Sequence, residues 1–132
     1  MYRTLIACAF IATSTSAEAL APLHKDPTVL NGFYAIGLAD EVRKNCDSIQ
    51  PRLIRAYNYL RALQQYAKDQ GYSDAQIDEL KDNKAEKEKL RTRIRADLAA
   101  RGASPKSPEG YCTVGLEEIA KGSAAGKLLR AR

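Results

Sequence analysis

Histidine is almost absent from this 132-residue chain: His24 is the only one, and it stands in LAPLHK (20–25), a short lead-in to the first helix. That scarcity excludes H-E-x-x-H and clustered-histidine zinc sites, and it leaves the serines without a partner base or a G-x-S-x-G elbow. Cysteine is sparse too, with three residues and no C-x-x-C, so no cysteine-rich ligand set exists. No stretch alternates with period two, so no sheet is expected. No apolar run reaches the length of a bilayer span. Basic blocks without acidic neighbours are missing as well. The 21 Lys and Arg are interspersed with 16 Asp and Glu, and the net charge of +5 suits solubility and weak contact with anionic lipid or glycan, not nucleic acid. GSAAGKLL at 122–129 is not a phosphate loop. Three residues rather than four separate its glycines, and Leu128 stands where a Ser or Thr would meet magnesium. The adjacent acids Glu117 and Glu118 do not share a helix face, nor do Asp40 and Glu41. No catalytic residue, cofactor or metal is expected from these patterns.

What is present begins at the N-terminus. MYRTLIACAFIATSTSAEAL has one positive charge, an apolar run from Leu5 to Ala12, and a small-residue stretch ending in Ala17-Glu18-Ala19. This is the three-part form of a secretory signal peptide, with cleavage after Ala19. Leu5-Ile6-Ala7-Cys8 also matches a lipoprotein cleavage site, but only three apolar residues would precede that cysteine. The expectation is therefore export to the periplasm, with 1–19 removed and residues 20–132 forming one helical domain. Cys8 leaves with the leader. Cys46 and Cys112 remain, and in an oxidising compartment two cysteines most simply form one disulfide.

The mature chain reads as helices. Asp26-Pro27 is a helix start, Asp as N-cap and Pro at the first helical position. Thr28–Asn45 follows, apolar around much of its circumference, with Gly32 and Gly37 marking close approach of a neighbouring helix. Pro51 fits the first turn of the second helix, in which Leu53, Tyr57, Leu60 and Ala67 are spaced to form a core stripe widened by Ile54, Leu63 and Tyr66; Gly71 ends it. Ser73-Asp74-Ala75-Gln76 is a capping box, and Asn83-Lys84-Ala85-Glu86 reads as a second. These give a helix at 74–82 and another at 84–101, with one continuous helix as the alternative. Leu90, Ile94 and Leu98 form a narrow stripe, and Gly102 ends the helix. ASPKSPEG at 103–110 is a loop. The last helical region carries Cys112, Leu116 and Ile119 on a shared face, with Ser123 capping a final turn. The expected fold is all-α, a disulfide-stapled bundle of four to five helices. The bridge should hold the terminal elements together while the middle helices form a hairpin between them.

Along the second helix, Tyr57, Tyr59 and Tyr66 alternate with Arg52, Arg55 and Arg61. Tyrosine and arginine are favoured in interfaces, so Arg52, Arg55, Tyr59 and Arg61 are the candidate protein-contact residues. GLADEVRKNC (37–46), PRLIRAYNYLRAL (51–63), QGYS (70–73) and YCTVGLEEIAKGSAAGKLL (111–129) resemble a family of small exported proteins of unknown function from marine and photosynthetic alphaproteobacteria. The resemblance spans nearly all of 26–129 and implies a cell-envelope setting and a two-cysteine helical domain. It supplies no activity. The leading expectation is a non-catalytic interaction module for an envelope protein, with a surviving exposed apolar or tyrosine-rich patch. The alternatives are a periplasmic chaperone-like protein, or a small hydrolase in whose pocket distant carboxylates, tyrosines or His24 would converge. The oligomeric state is not legible.

Overall fold

The computed structural model describes residues 20–132, so the signal-peptide and lipoprotein readings of 1–19 lie outside the described residues. The described residues form five α-helices: α1 (Pro27–Asn45), α2 (Leu53–Asp69), α3 (Asp74–Asp82), α4 (Lys84–Ala100) and α5 (Glu109–Lys121). A 3-10 turn, Leu23–Lys25, precedes α1, and another, Gly126–Leu128, follows α5. The strands β1 (Ile49–Pro51) and β2 (Leu129–Ala131) correct the expectation of no sheet. They pair antiparallel with Ile49 opposite Ala131 and Pro51 opposite Leu129. Three residues are too few to show alternation, so period-two patterning has nothing to detect.

The helix boundaries follow from the caps. The Asp26 carboxylate accepts from the Val29 amide at 3.0 Å, with Pro27 at the first helical position. At Ser73 both halves of the capping box form, the Gln76 amide to the serine hydroxyl and the Ser73 amide to the glutamine side chain. Asn83 closes α3 and caps α4, its side-chain oxygen accepting from the Glu86 amide at 3.0 Å. A residue held this way cannot also be interior helix, which is why the two segments are separate. Gly71 and Gly102 follow α2 and α4 with positive φ. Two boundaries move. Pro51 ends β1 instead of opening α2, and the Arg52 amide goes to the Leu128 carbonyl at 2.7 Å. The 103–110 loop stops at Pro108, whose helical φ and ψ lead into α5 at Glu109.

Helix α1 is the centre of the bundle, packing against α2, α4 and α5. The Leu63 side chain lies where a β-carbon on Gly32 would be, Ile94 does the same at Gly37, and Val42 and Ile49 fill the space over Gly115. Val42 and Val114 are fully buried in the main core, with Leu98 and Leu129 nearly so. A smaller core of Leu23, Val29, Ala67, Tyr72 and Ile77 sits at the other end of α1. Tyr34 on α1 donates to the Asp97 carboxylate on α4 at 2.6 Å. Burial first, and then this bond to an anion, push its hydroxyl pKa up to about 12.

Cys46, at the end of α1, and Cys112, in the first turn of α5, form the expected disulfide, with their Cα atoms 5.2 Å apart. The terminal elements are held together as the sequence suggested. The expected hairpin of middle helices is not formed: α2 and α4 each pack on α1 rather than mainly on one another. On α4 the stripe buries Ile94 and Leu98, Ile94 seated over Gly37 of α1. Among the described residues, no helix is long and apolar enough to cross a membrane.

Candidate functional site

Two surfaces follow from this packing. The first is on α2. Its buried side is Leu63 and Ala67, continued by the half-buried Ala56 and Tyr59. The stripe read from the sequence is therefore rotated. Small Ala56 faces the core, while Leu53 (71% exposed), Ile54 (79%) and Tyr57 (61%) face solvent. Arg61 stacks over the Tyr57 ring at 5.8 Å, so one exposed face carries Ile54, Tyr57 and Arg61 at helical spacing.

The four sequence-predicted contact residues divide between two jobs. Arg52 donates through Nε to the Leu129 carbonyl at 3.0 Å, and Arg55 through Nη1 to the Lys127 carbonyl at 3.5 Å. Both tie the C-terminal segment to α2. Tyr59 is half-buried against the main core. Arg61 alone of the four shares the exposed apolar face. Tyr66 is turned inward, its hydroxyl donating to the Asp26 carboxylate at 3.1 Å, and Tyr72 donates to the Ala21 carbonyl.

The fold also sorts charge that looks mixed along the chain. No Asp or Glu lies between Asp47 and Asp69, and none follows Glu118. These two acid-free segments are brought together by the β1–β2 pair and by the Arg52 and Arg55 bonds. Beside Leu53, Arg43, Arg130 and Arg132 line a shallow depression in which Asp47 is the one acid. The exposed apolar side chains thus sit at a basic end of the molecule. The signal in the sequence was the gap between acids, not a block of bases.

The second surface is a groove of about 280 Å³ between α1, α2, α3 and α4. Val29, Leu30 and Phe33 of α1 form its floor, and Leu60, Leu80 and Leu90 come from α2, α3 and α4. His24, Lys81, Glu86 and Lys87 stand at its rim. A hydrogen bond from Lys89 at 3.0 Å holds the Glu86 carboxyl below the usual carboxylate range, with smaller help from nearby basic groups. Lys81 pairs with Asp78 at 3.1 Å, and Lys87 has no carboxylate partner among the described residues. His24 is half-buried here. Sequence reasoning missed this groove. Its one visible trace was the thinning of apolar residues after Leu80, too few to close the helices over α1.

The former phosphate-loop look-alike is structural. Gly122 ends α5 in a left-handed conformation, and the Ser123 hydroxyl accepts from the Gly126 amide at 3.0 Å. Ser123 thereby holds the turn that leads into Gly126–Leu128, and the expected last helical turn gives way to β2 at Leu129. The expected face of α5 is displaced: Tyr111, Val114, Gly115 and Glu118 are buried, whereas Leu116 is exposed. Buried Glu118 accepts from Ser123 and pairs with Arg101 at 2.9 Å. Among the described residues, no three His, Cys, Asp or Glu side chains gather as metal ligands.

The chain belongs to a family of unknown function (DUF5333), which it matches over residues 21–130. No curated protein matches it. No solved structure matches it either.

Proposed function

We propose that this member of the family is a non-catalytic interaction module of the cell envelope, exported with residues 1–19 removed, that docks an envelope protein through α2. One observation carries the reading: Leu53, Ile54 and Tyr57 stand exposed together at a basic end of the molecule. Three large apolar side chains in solvent are costly to solubility unless something covers them, and about 1.5–3 kcal/mol per side chain is recovered when it is fully buried. Their surround of Arg61, Arg130 and Arg132 favours a partner face rich in Asp and Glu, since complementary charge steers encounter and fixes register. Support for export comes from the leader-like N-terminus and from the closed Cys46–Cys112 bridge, which an oxidising compartment maintains.

The test is photocrosslinking in the native cells, with a benzophenone amino acid at Tyr57 and, as a control, at the exposed Thr92 on α4. The expected result is one envelope protein captured at position 57, absent at position 92, and lost in a Leu53→Ser, Ile54→Ser variant that unfolds at the wild-type temperature. Equal capture at both positions, or none, would sink the reading. Intact mass of the periplasmic protein should begin at Leu20; a chain starting at Cys8 or retaining its leader would overturn the export part separately.

A further inference from the structure

We infer that the groove between α1, α2, α3 and α4 is a binding site for a single-chain amphiphile with a carboxylate head, of the medium-chain fatty-acid class. It is a different surface from the α2 face and does not depend on it.

Three observations carry this. The first is the chemistry of the lining, where Leu30, Phe33, Leu60, Leu80 and Leu90 supply side chains from four helices and no polar group interrupts the floor. Such a surface suits a hydrocarbon and offers a polar ligand nothing to bond. The second is size. A buried apolar cavity of about 150 Å³ suffices for benzene, and ligand pockets for larger molecules begin at about 300 Å³. At about 280 Å³ the groove takes one acyl chain of moderate length and is too small for a two-chain lipid. The third is charge at the rim. Lys87 is free of carboxylate partners among the described residues, and Lys81 has only an exposed one, Asp78. The rim's single acid, Glu86, is already neutralised by Lys89. Two ammonium groups above an apolar trough complement a carboxylate head with its chain directed inward. A zwitterionic or cationic head would gain nothing there.

The experiment uses the full oxidised chain, with leucine and valine methyl groups followed by NMR during titration with dodecanoate, kept below its self-association concentration. The same titration is run with dodecyltrimethylammonium, which has the same chain and the opposite charge. The expected result is saturable shifts at Leu30, Leu60, Leu80 and Leu90 with dodecanoate, and affinity at least threefold weaker for the cation. A Lys81→Gln, Lys87→Gln variant should lose at least threefold in dodecanoate affinity while the core methyl groups of Val42 and Val114 keep their positions. Three outcomes would overturn the proposal: no saturable shift at the groove leucines, equal binding of the two head groups, or shifts confined to Leu53. The comparison of head groups needs no variant, so it stands even if the double substitution disturbs the fold.

Discussion

Glu118 shows how one buried charge is kept. It lies on the core face of α5, where loss of hydration favours the neutral acid. Burial alone would raise its pKa, but the hydrogen bond from Ser123 and the Arg101 guanidinium, with Lys121 behind them, outweigh that and hold it below the usual carboxylate range. A carboxyl depressed by folding contributes stability that is present above its unfolded pKa, about 4.3 for glutamate, and is lost as pH falls through the folded value. Glu118→Gln should therefore cost about 1.5–3 kcal/mol at pH 7, the scale of a charge-assisted hydrogen bond. Because this contribution disappears on acidification, the gap between wild type and variant should narrow towards pH 3. Urea unfolding at the two pH values measures it; a gap that stays constant would mean the carboxylate charge contributes nothing.

At the scale of elements, two glycines that look alike in the sequence do different work. A β-carbon on Gly32 would meet only the Leu63 side chain, both Cδ atoms and then Cγ, whereas one on Gly126 would run into the Glu118 carbonyl and the Ile119 amide. A leucine tip can rotate away; a helix backbone cannot. Gly32→Ala gains about 1 kcal/mol of helix propensity against a modest repacking cost and should unfold within about 1 kcal/mol of wild type. Gly126→Ala should lose about 2–4 kcal/mol, because the last turn must lift away from the end of α5. Thermal unfolding of the two variants side by side checks the order. The sequence made the element ends legible because caps are local chemistry: Asp26, Ser73 and Asn83 each bond to an amide three residues on. Which helix face would be covered was not legible. On α2 and α5 it depended on small residues, Ala56 and Gly115, that admit a neighbour closely, while large Leu53 and Leu116 were left outside. The same limit hid the groove, whose lining comes from four helices and depends on how they pack. Of the four arginine and tyrosine candidates, alternation in the sequence could not separate Arg61 from those already engaged with the C-terminal segment.

For the whole molecule, the bridge matters more than any single packing contact. It closes a span of 66 residues that contains α2, α3 and α4. In the chain-entropy picture such a loop is worth about 4 kcal/mol, with about 2–4 typical in practice. The domain is held by two modest cores, so this is a large share of an expected total of about 5–15 kcal/mol. Cys46→Ala, Cys112→Ala should lower the unfolding free energy by that amount, read as an earlier urea midpoint, and reduction of the wild-type protein should do the same. A midpoint unmoved by either would show that packing alone holds α1 against α5.

The bridge also decides what a cut chain is. The turn at Ser104–Ser107, with Lys106 exposed, lies inside the closed span. Cleavage there would separate α5 and β2 from the other helices in the covalent backbone, yet sulfur would still join the two pieces. The nicked protein would migrate as one band until a thiol is added, and as two afterwards.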